Sequence, residues 1–103
     1  MESAALTEAV FYILLSLDQP LHGYGIMQNA ERLSGGRVRL AAGTLYGALN
    51  TLLKKGWIES LPDDGRKKEY RLTQAGRAAV RAEIARLREL LANGEAVTKG
   101  WKV

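Results

Sequence analysis

Apolar residues recur at helical spacing in several stretches of the chain and alternate with polar ones in two short others. The most regular stretch runs from Ala41 to Gly56, where Leu45, Leu49, Leu52 and Leu53 fall at i, i+4, i+7 and i+8 with Ala48 at the stripe's edge. That spacing predicts a helix with one core face, ended by Lys54 and Lys55 near the negative end of the helix dipole and by Gly56 as C-terminal glycine. Gly43, Tyr46, Gly47, Asn50, Thr51 and Lys54 fall on the opposite side, with Thr44 on the flank. Each glycine inside a helix costs about 1 kcal/mol relative to alanine, so two on one outward face call for a reason. Close approach to another molecule is one. The short polar side chains, phenol and lysine of that face suit a surface laid against phosphates and base edges, which makes this a candidate recognition helix. Taken alone, it could equally be an ordinary amphipathic helix with a solvated face.

The remaining elements follow from the same patterning. Leu6 to Leu17 predicts a first helix, capped by Ser3 or Thr7 and stopped by Asp18, Gln19 and Pro20. Leu6, Val10, Ile13, Leu14 and Leu17 form its stripe, and Phe11 with Leu15 carry the apolar surface round the side. A helix so nearly apolar all round has to be covered on more than one face, and in a small domain a second subunit can supply the second cover. Residues 21–34 predict a second helix closed by Gly35 and Gly36. In it Ile26, Ala30 and Leu33 share a face, His22 packs or caps the first turn, and Tyr24 points the other way. Arg37 to Leu40 alternates polar and apolar and reads as a short strand. Trp57 to Leu61, a turn at residues 62–65 containing Asp-Gly, and Arg66 to Leu72 read as a hairpin, with Lys68, Tyr70 and Leu72 on one face.

Thr73 is placed to cap the last helix, along which Val80, Ile84, Leu87 and Leu91 recur at spacings of four, three and four with Leu90 adjacent. Arg77, Arg81, Glu83, Arg86, Arg88 and Glu89 would supply its solvated side. Asn93 and Gly94 weaken the helix, after which the tail either resumes it or frays. The order is helix, helix, short strand, helix, basic hairpin, helix. The fold class is therefore mainly α with a small β-hairpin (α+β): a winged helix-turn-helix over residues 1–73, followed by a C-terminal dimerisation helix and tail over residues 74–103, one structural domain overall.

Composition narrows the chemistry. At 103 residues with 47% hydrophobic content, the chain suits one packed domain. It has no cysteine and a single histidine, so a disulfide framework, a thiolate nucleophile and a catalytic zinc site all lack their residues. Gly35 and Gly36 lack the lysine and hydroxyl pattern of a phosphate loop. No catalytic constellation, cofactor or metal is expected. The apolar N-terminal run is about 12 residues and lacks a basic leader, so neither a signal peptide nor a bilayer span fits, and a cytoplasmic location is expected.

Charge is unevenly placed. Residues 1–36 carry net −3, residues 37–72 net +4 and residues 73–103 net +3. With a pI near 9.6, this asymmetry points to a polyanionic partner. Lys54 on the recognition helix and Arg66, Lys67 and Lys68 at the hairpin rim converge on it, whereas Asp63 and Asp64 at the hairpin tip should point away from DNA or lower its affinity. The rival reading is a winged helix that docks its basic hairpin on an acidic protein.

Three segments, LHGYGI at 21–26, GTLYGALNTLLKKGWI at 43–58 and RKKEYRLTQAGR at 66–77, resemble the PadR family of transcriptional regulators. The resemblance, in its short form with one dimerising helix, implies a homodimer on a pseudo-palindromic double-stranded DNA operator. It implies a repressor in most members, released in several by a small hydrophobic, often aromatic or cationic effector. It also implies that Tyr24, Thr44 and Tyr46 meet DNA beside Lys67 and Lys68. Together with the outward face above, the candidate DNA-binding residues are Tyr24, Gly43, Thr44, Tyr46, Gly47, Asn50, Lys54, Arg66, Lys67 and Lys68. Phe11, Leu15, Ile84, Leu87 and Leu91 are the candidate dimer interface. Whether Phe11, Ile84 and Leu87 leave a gap there for an effector, or pack without one, stays open. Where the family often carries a serine cap before the recognition helix and a proline after its tyrosine, this chain has Ala41 and Gly47; Leu53 replaces a common acid and Glu69 a wing base or aromatic.

Overall fold

The leucine stripe of the third helix lies at the centre of the core. The computed structural model describes residues 5–62 and 67–102; Ser3, the Asp63-Asp64-Gly65 turn and Arg66 fall outside them. Helix α1 spans Glu8–Ser16, strand β1 Leu21–His22, helix α2 Gly23–Leu33, helix α3 Ala42–Lys55, strand β2 Ile58–Ser60, strand β3 Glu69–Leu72 and helix α4 Gln74–Thr98. Ile13, Leu14 and Leu17 from α1 and its end meet Ile26 of α2, Leu45, Leu49 and Leu52 of α3, Ile58 of β2 and Tyr70 of β3 in one cluster. Each leucine so buried contributes roughly 1.5–3 kcal/mol relative to exposure. Thr7 caps α1, its hydroxyl accepting from the Val10 amide at 3.1 Å. As expected, Ala41 precedes α3 without a side-chain cap bond, and Gly56 follows its last residue, left-handed at φ 76°.

The sheet differs from the sequence reading in one strand. Its order is β1-β3-β2, all antiparallel, with Leu21 opposite Tyr70, and Ile58, Glu59 and Ser60 opposite Leu72, Arg71 and Tyr70. The third strand is thus Leu21–His22, expected as the start of the second helix, and not Arg37 to Leu40. The latter segment spends its donors locally: the Arg37 amide bonds the Ser34 carbonyl at 3.3 Å and the Val38 amide bonds Ser34 Oγ at 2.9 Å. With Val38 buried and Arg37 held to Glu8 at 3.0 Å, the segment is a connector pinned to α1. Leu33, assigned to the core face with Ile26 and Ala30, is exposed instead: it is the last residue of α2 and lines an open hollow against α1 and α4, outside the buried cluster.

Helix α4 runs unbroken through Asn93 and Gly94. A glycine there costs about 1 kcal/mol, too little to end a helix flanked by good helix formers. Its beginning is clamped. Thr73 Oγ1 accepts from the Gly76 amide at 3.1 Å and donates to the Gly56 carbonyl at 2.6 Å, while the Thr73 amide bonds the Trp57 carbonyl at 3.0 Å. Gly76 packs so closely on the Trp57 carbonyl that a β-carbon would overlap it.

Glu83 departs from its expected place on the solvated side. It is only 4% exposed, accepts from the Leu6 amide at 3.4 Å, and holds Arg86 by two bonds of 2.9 and 2.5 Å. The sequence pair Glu83 to Arg86 is therefore a lock of α4 onto the segment entering α1. The Arg86 guanidinium holds the Glu83 carboxyl below its ordinary value, burial opposing and the Leu6 amide assisting. A carboxyl whose folded-state pKa is depressed stabilises the fold above the unfolded value of about 4.3 and loses that contribution as pH falls through the lower folded value. Denaturant titrations of wild type and Glu83→Gln are expected to show a stability gap at neutral pH that closes on acidification below about pH 4.3. A gap constant with pH would mean that the charge is not what matters.

Candidate nucleic-acid interface

The outward face of α3 is open. Thr44, Asn50 and Lys54 are exposed, and β-carbons built at Gly43 and Gly47 would meet nothing within 4 Å. Around Gly43 and Gly47 the face is therefore free of the chain's own described residues, and the two glycines leave the helix backbone uncovered. Lys55 lies 4.6 Å over the Trp57 ring and is engaged there, whereas Lys54 faces solvent. Thr51 turns its hydroxyl back to the Gly47 carbonyl at 3.2 Å.

The hairpin and the start of α2 close on one end of this face. His22, Gly23, Tyr24, Tyr46, Lys67, Lys68 and Tyr70 line a hollow of about 250 Å³. Its geometry has local causes. His22 leaves β1 in extended backbone, and its Nδ1 accepts from the Gly25 amide at 3.1 Å, so the imidazole caps α2. Gly23 follows without a side chain, and the Tyr46 phenol lies where its β-carbon would be. Tyr24 therefore stands outward, 57% exposed, beside Tyr46 at 47%, with Lys67 Nζ 5.9 Å from the centre of its ring. Tyr70 is buried by the same packing, and burial pushes its phenol pKa up, so it stays protonated and a donor. Two ammonium groups and phenol donors converging on one hollow can hold an anion such as a phosphate.

Of the sequence-derived DNA candidates, Tyr24, Tyr46, Lys67 and Lys68 are brought together in this hollow, and Gly43, Thr44, Gly47, Asn50 and Lys54 extend from it along α3. Arg66 lies outside the described residues. The sequence reading missed Gly23 and Tyr70; the adjacency of Gly23 to Tyr24 was the only signal for the first. Among the described residues there is no group of three or more histidine, cysteine or acidic side chains placed to hold a metal.

The apolar candidates divide. Leu15 and Ile84 line a second hollow of about 420 Å³ between α1, the end of α2 and the first half of α4, with Leu14, Leu33, Leu72 and Val80. Phe11, half-buried and edge-on to Tyr12, is not among its lining residues, nor are Leu87 and Leu91. Those two leucines are exposed on α4 with Leu90, Val97 and, beyond its end, Trp101 at 70%. No helix among the described residues is long and apolar enough to cross a membrane.

A model of the PadR-like family of transcriptional regulators matches residues 11–82. A 37.1 kDa protein in a transposon of Streptomyces fradiae is 42% identical over 77 residues, which are 74% of this chain and 22% of that protein, so the chain spans about a fifth of its relative's length. A PadR family transcriptional regulator from Eggerthella lenta superposes with a TM-score of 0.68 at 26% identity, covering 90% of this chain and 82% of that one. A PadR family transcription regulator from Clostridium difficile superposes with a TM-score of 0.72 at 21% identity, over 91% and 100%. The second likeness speaks to the fold alone.

Proposed function

The chain belongs to the PadR-like family of transcriptional regulators, whose members are regulators and not enzymes, and from that premise we propose that it acts as a homodimer on a pseudo-palindromic operator and represses transcription there. The observation that carries this is the continuity of one surface: the open α3 face runs into the hollow that holds Tyr24, Tyr46, Lys67 and Lys68. In this reading α3 enters the major groove, its two glycines let the helix lie close to base edges, and the wing lysines take the flanking backbone.

Residues 74–103 serve as the dimerisation segment. All of residues 87–102 are exposed in the single chain, including three leucines, a valine and a tryptophan, and an apolar stripe of that length is unusual on a monomer. A twofold pairing along it, with Phe11 and Leu15 of α1 at its margin, sets the two α3 helices about 34 Å apart, one turn of DNA. A small hydrophobic effector bound where α1 and α4 leave apolar space releases the operator by favouring a different spacing, to the extent that it binds the two spacings unequally.

The test is binding to a duplex enriched by the protein from a random-sequence pool. Tyr46→Phe and Lys54→Ala are expected to weaken binding several-fold, and Lys67→Ala or Lys68→Ala to make the salt dependence shallower by about one each, since one counterion fewer is released. Affinity and salt slope unchanged in all four variants would remove DNA from this surface.

A further inference from the structure

The surface does not end at Tyr24. That side chain also borders a second, wider groove of about 620 Å³ between α2 and the connector to α3, with Gln28, Glu31, Arg32 and Arg39 on its walls. Tyr24, Gln28 and Glu31 stand at i, i+4 and i+7, so one face of α2 forms a wall along its whole length. The connector supplies the other wall, turned by Gly35 and Gly36 at φ 64° and 89°. Three arginines belong to this region, and their engagements differ. Arg32 is bound to Asn29 Oδ1 at 2.6 and 3.2 Å, and Arg37 is bound to Glu8 at 3.0 and 3.2 Å. Among the described residues Arg39 reaches only Glu31, at 3.9 Å, and its side chain is 76% exposed. A contact that long between solvated groups restrains the guanidinium weakly. Arg39 also precedes Ala42, the first residue of α3, by three positions, at the end of the recognition helix that lies nearest this groove.

We propose that the groove between α2 and the connector is a second track for the DNA backbone, with Arg39 as its phosphate ligand and Glu31 as a carboxylate that holds affinity down. The proposal rests on the reading that the α3 face binds DNA and extends its footprint beyond Tyr24. Arg39 offers the planar fork that bonds a phosphate through two N–H donors, and Tyr24 and Gln28 add neutral donors on the facing wall. Among the described residues Glu31 is the one carboxylate lining the groove. It faces any phosphate placed there and competes for Arg39, so its charge opposes binding on both counts.

The enriched duplex, measured by fluorescence anisotropy between about 50 and about 200 mM salt, tests this. Arg39→Ala is expected to bind about tenfold more weakly with a salt slope shallower by about one, and Arg39→Lys to keep the slope. Glu31→Gln is expected to bind more tightly. Arg37→Ala removes the same charge from a side chain turned to α1 and is expected to change affinity little, which separates a local contact from a loss of net charge. Arg39→Ala matching wild type in affinity and slope, or Arg37→Ala losing as much, overturns the second track while loss of binding in the Tyr46 and Lys67 variants leaves the α3 reading standing. Failure of the wild-type protein to enrich any duplex overturns both.

Discussion

Gly76→Ala is expected to destabilise the protein by about 3 kcal/mol, the upper range for forcing a methyl into filled space. The added β-carbon meets the backbone carbonyl of Trp57, which no side-chain rotation can move aside. That carbonyl is also the acceptor for the Thr73 amide, so pushing it away strains a second bond and the cap that Thr73 provides for α4. Small domains have about 5–15 kcal/mol in total, so the loss is a large fraction. Gly43→Ala is the matched control: nothing lies within 4 Å of its β-carbon, and the same substitution should stabilise α3 by about 1 kcal/mol. Equal denaturant midpoints for the two variants would contradict the packing described for the start of α4.

Leu87→Glu combined with Leu91→Glu is expected to leave the fold intact, convert the proposed dimer into a species of 11.3 kDa and weaken operator binding at least a hundredfold. Both leucines are exposed in the single chain, so charge placed there meets water in a monomer and an apolar stripe in a dimer. The expected loss is large because, in the proposed dimer, a second half-site is engaged at the high effective concentration that the first creates. Circular dichroism distinguishes splitting from unfolding, and sedimentation reads the mass. Wild-type protein sedimenting only at 11.3 kDa at micromolar concentration would end the twofold reading, and with it the half-site spacing.

Much of this architecture is legible in the residues, and the parts that are not share a cause. The α3 stripe, its outward glycines, its missing cap and its Gly56 terminus are local properties, fixed by spacing within one helix. Strand β1 is two residues long and has no period to read; it exists because Tyr70 and Glu69 of β3 lie opposite Leu21 and His22, a pairing across nearly fifty positions. Arg37 to Leu40 shows the converse: an alternating pattern with no ladder to join, its donors taken by Ser34. Glu83 reads as a surface charge because carboxylates usually are, and its covered site includes the amide of Leu6, brought over from the far end of the chain, beside its neighbour Arg86. At the candidate interface, the residue types were readable and their convergence was not. Tyr24, Tyr46 and Lys67 meet because Gly23 leaves room for a ring, a condition set by what is missing from one position and supplied by another.

The clamp at Thr73 has a mechanical consequence. Gly56, Trp57, Thr73 and Gly76 join the end of α3, the lead into β2 and the root of α4 through three hydrogen bonds of 2.6 to 3.1 Å. The 25 residues of α4 extend about 37 Å from that joint, so it is a rigid arm and not a tethered one. In the proposed dimer, a tilt imposed on the arm's far end swings the α3 face as a body. In the proposed regulator, a signal received by α4 is thus transmitted as a change of angle, and the α3 face itself keeps its shape.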